Sequence, residues 1–114
     1  MKESDVTYKD QANEIIDAAR REIQALFDCL YDVENVTVFQ IRDANSAISN
    51  FAELQEYALR VFEYCNCTNG ENSDEHLAKL SRVQLSFMKD NLELIKTSHK
   101  QVRDYTPGNS KERE

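Results

Sequence analysis

Two glycines and one proline in 114 residues give this chain few tight turns, and it has no tryptophan and only three cysteines. Sandwiches and barrels turn about every 8–12 residues, so all-β architectures are excluded. Gly70 and Gly108 stand far apart, so there is no glycine-rich phosphate loop and the nucleotide-binding α/β folds drop out as well. No apolar run approaches the roughly 18 residues of a membrane span. The first ten residues, MKESDVTYKD, lack the apolar core of a signal peptide. The expected location is therefore inside the cell, with Cys29, Cys65 and Cys67 as reduced thiols. The glycosylation patterns Asn35-Val36-Thr37 and Asn66-Cys67-Thr68 are expected to be unused.

What the chain does have is charge and apolar periodicity. It carries 14 basic and 21 acidic residues for a net charge of −7, with 40% hydrophobic residues and a mean hydropathy of −0.68. Such a composition describes long amphipathic helices in a single domain. Residues 1–33 and 34–72 each carry a net charge of −4 and residues 73–114 carry +1. Two acidic segments beside a basic one attract each other when packed together. Direct nucleic-acid binding is not expected, because an acidic chain repels phosphate. Moreover, Lys79, Arg82, Lys89, Lys96, Lys100 and Arg103 come without a stacking aromatic platform.

The apolar residues fall into three seams. Ile16, Ala19, Ile23, Leu26, Leu30 and Val33 recur at intervals of three and four and predict a helix over about 8–33. Ile41, Ala44, Ile48, Phe51, Gln55, Ala58, Phe62 and Cys65 predict a second over about 37–66. Gln55 reads as a register device or a solvated edge. Between them, residues 32–38 either bend or continue one long rod. A break near Glu34–Thr37, capped by Asn35 or Thr37, is expected, which makes the two helices antiparallel. The polar run Asn66–Ser73 predicts a loop, with Ser73 or Asp74 capping a third helix over about 74–104. Its seam is Leu85, Met88, Leu92, Ile95, His99 and Val102, and Pro107 ends it. Residues 1–7 and 105–114 are expected to be disordered.

Little in this pattern carries chemistry. Cys65-Asn66-Cys67 offers half a metal site, but the remaining soft donors are Cys29, His76 and His99 with no second close pair, so no metal or other cofactor is expected. Cys65 reads as a seam residue and Cys67 as a loop thiol. His76 lies nine residues from Cys67 across a flexible loop, with no oxyanion feature, and His99 reads as a helix-end histidine. Without a convergent polar site, neither catalysis nor a small-molecule substrate is expected. The third helix, however, has a surplus of apolar residues. Leu80, Phe87 and Leu94 stand beside its seam and would be exposed in an isolated three-helix bundle, so they are the predicted partner-binding face, with Lys89 and Lys96 steering an acidic partner. The expected partners are other helical protein subunits.

One stretch is more distinctive. The end of the second helix, Ala58-Leu-Arg-Val-Phe-Glu-Tyr-Cys-Asn66, resembles the corresponding run in the Mediator complex subunit 30 family. The first helix, Ile16-Asp-Ala-Ala-Arg-Arg-Glu-Ile-Gln-Ala-Leu-Phe-Asp-Cys-Leu30, is similar to that family's pattern too, and the likeness covers about residues 11–70. It implies a nuclear, noncatalytic subunit of the Mediator head module, relaying activator contacts to RNA polymerase II. The alternative is the KxDL-motif family of lysosome-positioning assemblies, which Met88-Lys-Asp-Asn-Leu-Glu-Leu-Ile95 resembles with Asp90 one place early. That resemblance implies a cytoplasmic subunit at the lysosomal surface.

Overall fold

The structure, a computed structural model, describes residues 7–31, 35–67 and 75–104. The chain is all-α. Helix α1 spans Tyr8–Tyr31, α2 spans Val38–Cys67 and α3 spans Glu75–Asp104. Among the described residues only Thr7 and 35–37 lie outside these helices. Gly70, Pro107 and Gly108 all fall beyond the helix ends, so no breaker interrupts a seam. The disorder expected for 1–7 and 105–114, the caps Ser73 and Asp74, and Val33 fall outside the described residues or, as with Thr7, at their edge.

Two threonines start helices. Thr7 Oγ1 accepts from the Asp10 amide at 3.0 Å, and the Thr7 carbonyl accepts from the Gln11 amide at the same distance. Thr37 and Gln40 form a reciprocal capping box: the Gln40 amide donates to Thr37 Oγ1 at 3.1 Å, and the Thr37 amide donates to Gln40 Oε1 at 2.9 Å. Of the two candidate caps, Thr37 is therefore the one used. Asn66 and Cys67, expected in the loop, instead complete the last turn of α2, and the rest of that expected loop lies outside the described residues.

The three rods pack up-down-up into a body of 58 × 27 × 20 Å. Gln40 Nε2 donates to the Val102 carbonyl at 3.3 Å, tying the start of α2 to the end of α3. Farther along, the Tyr57 and Phe87 rings meet with centroids 5.1 Å apart. Together they set α2 and α3 antiparallel. Helix α1 runs parallel to α3, because Arg82 reaches Tyr8 at the start of α1 and His99 reaches Glu22 farther along. The most extensive interface is α2 with α3, and basic α3 also packs against acidic α1.

Fully buried Leu26, Leu54, Val61, Met88, Ile95 and Val102 form the apolar centre. Each such side chain contributes about 1.5–3 kcal/mol on leaving water. The predicted α1 seam holds, with Ala12 and Ile15 added to Ala19 and Leu26. Half of the predicted α2 seam holds, at Ala44, Phe51, Ala58 and Cys65, and the other half gives way to residues one position earlier. Gln40, Ala44, Ala47, Leu54, Ala58 and Val61 are buried, whereas Ile41 and Ile48 are 48% and 45% exposed and Gln55 is a solvated edge. Residues 40, 44, 47, 51, 54, 58, 61 and 65 keep the 3/4 rhythm equally well; alanines serve as core because α2 lies close to α3.

Candidate interaction surface

On α3, the buried stripe is more polar than its sequence seam. Ser81, Gln84, Asn91 and Ser98 are buried beside Leu85, Met88 and Ile95. Polar and apolar side chains thus share the inward face of α3, and part of its apolar surplus lies outside it. Phe87, Leu94 and Val83 accordingly stand outward at 42%, 50% and 41% exposure, while Leu80 is partly buried.

Three of the five residues predicted to bind a partner, Leu80, Phe87 and Leu94, line one flank of α3 at heptad spacing. Tyr57 of α2 lies against Phe87. Stepping one heptad along each antiparallel helix sets Tyr64 level with Leu80 and Asn50 level with Leu94. The result is an outer groove between α2 and α3 on the side away from α1. Tyr57 sits off the predicted α2 seam, which hides it in the sequence; its seven-residue spacing from Tyr64 is the available signal.

The two lysines are not on this surface. Lys89 is two residues, or about 200°, around the helix from Phe87, and it borders the hollow between α1 and α3 with Tyr8, Gln11 and Arg82. Lys96 lies seven residues on from Lys89, on that same flank, and its Nζ is 3.6 Å from Glu93 Oε2. Both lysines thus stand off the apolar flank that they were expected to border, and arginines of α2 stand over aromatic rings of that helix instead. Arg60 lies over the Tyr57 ring at 5.7 Å from its centroid, and Arg42 over the Phe39 ring at 5.3 Å.

A second exposed apolar strip, Ile41, Ile48 and Leu59, occupies the opposite flank of α2 from Tyr57. Near the C-terminal end of α1, a surface cavity of about 450 Å³ is lined by Gln24, Phe27, Leu30 and Tyr31. Elsewhere, the α1–α3 seam holds a polar cluster of Glu22, Cys29 and His99. The sequence places His99 on the α3 seam but gives no indication of these two neighbours from α1. Among the described residues no helix is long and apolar enough to cross a membrane, and no group of three or more His, Cys, Asp or Glu side chains is arranged to hold a metal ion.

No family model, curated protein or solved structure matches this chain.

Proposed function

We propose that this chain is a noncatalytic scaffold subunit of a multiprotein helical assembly, receiving an amphipathic helix of another subunit in the outer groove of α2 and α3. The observation that carries this reading is the run of Leu80, Phe87 and Leu94, the last two exposed, with Tyr57 against Phe87. Large apolar side chains repeated at heptad spacing along a groove are what a further helix packs against. Arg60 at the rim favours carboxylates along the edge of that incoming helix.

The resemblance of residues 11–70 to the Mediator subunit 30 family supports naming the assembly, and on it we assign the chain to the Mediator head module in the nucleus. The test is affinity purification of the tagged chain from its native cell with mass spectrometry, run beside the Phe87→Ala/Leu94→Ala variant. Head-module subunits recovered with the parent chain and lost with a variant of unchanged helicity are the expected result. Recovery of lysosome-positioning subunits would transfer the assignment to the KxDL reading. If the variant keeps every partner, the groove is not the docking surface.

A further inference from the structure

Three side chains converge across the α1–α3 seam. Glu22 and Cys29 are two turns apart on one face of α1, and His99 comes from the last third of α3. His99 Nδ1 is 2.8 Å from Glu22 Oε1, and its Nε2 is 3.9 Å from Cys29 Sγ. The imidazole is 15% exposed and the carboxylate 28%. A carboxylate only accepts hydrogen bonds, so Nδ1 carries a hydrogen toward Glu22; in the tautomer that carries no other, Nε2 turns its lone pair toward the thiol. A nucleophile thus faces a base that a third group orients, the arrangement that activates a thiol.

We propose that Cys29, His99 and Glu22 form a hydroperoxide-reactive thiol site, a place of oxidative modification additional to any scaffold role. In the step, His99 Nε2 takes the proton from the Cys29 thiol as the sulfur attacks one peroxide oxygen. The S–O bond forms and the O–O bond breaks. The leaving hydroxide or alkoxide takes the proton back from His99, giving water or an alcohol and a sulfenic acid at Cys29. Sulfur loses two electrons and the peroxide gains them. Glu22 is a positioning residue that holds the ring tautomer.

The packing limits the fate of the oxidised sulfur. Helix α2 runs antiparallel to α1, so Cys65 lies toward the opposite end of the bundle, roughly 35 Å along the rods from Cys29. The folded chain cannot close a disulfide between them. The sulfenic acid is left for a small external thiol to reduce, which makes the modification reversible.

The experiment treats the full folded chain with hydrogen peroxide, traps sulfenic acid with dimedone and quantifies the peptides bearing Cys29 and Cys65 by mass spectrometry. Cys29 is expected to react about tenfold faster than Cys65, below the roughly hundredfold or more of well-placed general bases because the S···N contact is long. His99→Gln should remove that advantage, and Glu22→Gln should reduce it in part. Loosening of the fold acts in the opposite direction: it exposes both thiols and speeds both, whereas loss of the base slows Cys29 alone. If Cys29 reacts no faster than Cys65, the proposal is overturned. A His99→Gln chain whose Cys29 rate is unchanged or raised overturns it as well. Should His99→Gln fail to fold, Glu22→Gln decides by the same comparison.

Discussion

The two flanks of α3 are built from different chemistry. Toward α1, the helix offers His99 to Glu22 and Cys29, Arg82 to Tyr8, and Lys89 beside them. Away from α1, it offers Val83, Phe87 and Leu94, with Tyr57 of α2 against the phenyl ring. The polar flank is covered by the chain's own helix and the apolar flank is left open. An isolated bundle gains more by the reverse arrangement, since covering apolar area yields about 25 cal/mol per Å² whereas exposed ion pairs yield about 1 kcal/mol or less. The open apolar flank is the one the proposed partner helix would cover, whereas α1 adds its polar contacts to an apolar stripe that runs from Ala12 to Leu26.

The largest effects should come from the shared centre, which serves both flanks. Truncating Leu54 or Met88, both fully buried, to alanine should cost about 2–5 kcal/mol and lower the thermal midpoint sharply. A loss below about 1 kcal/mol would mean that the centre is not where the rods meet. Next comes Gln40→Ala, which removes half of the capping box and leaves the buried Val102 carbonyl without that donor. A loss of about 1–3 kcal/mol in denaturant titrations is expected.

Asn91→Leu sharpens the comparison from the opposite direction. Gln84 Oε1 and Asn91 Nδ2 are buried without hydrogen-bond partners. Replacing Asn91 with an apolar residue of similar size should leave stability unchanged or raise it by about 1 kcal/mol, while weakening the choice of a single register. Marked destabilisation would show that the amide finds a partner in solution. The smallest effect on the fold is expected for Phe87→Ala, about 1 kcal/mol or less, because the ring is already 42% exposed. Its effect should appear in partner capture. If Phe87→Ala unfolds the chain as severely as Leu92→Ala, the open flank belongs to the core and the contrast between the flanks fails.

Much of this architecture can be read from the residues in order. The three helices and the break between α1 and α2 follow from local chemistry, since breakers are scarce and apolar spacing is helical, whereas the choice of Thr37 over Asn35 as the cap rests on the bonds that Thr37 exchanges with Gln40. Leu80, Phe87 and Leu94 are legible as a surplus, because one helix face cannot bury two apolar stripes. The flank of Lys89 and Lys96 was legible too, since two residues of helix turn a side chain nearly to the opposite side from Phe87 and Leu94, and closeness along the chain is what misleads.

By itself the sequence determined that the chain is three long amphipathic rods with more apolar surface than three seams consume. Only the tertiary structure decided which of two equally rhythmic stripes on α2 faces inward. Local spacing cannot choose between Ile41/Ile48/Gln55 and Gln40/Ala47/Leu54, but close approach of α2 to α3 can, since alanines admit it and isoleucines do not. Packing likewise decided that Glu22, Cys29 and His99 meet. The first two are separated from the third by 77 and 70 positions, and only the parallel alignment of α1 with α3 brings them to one level.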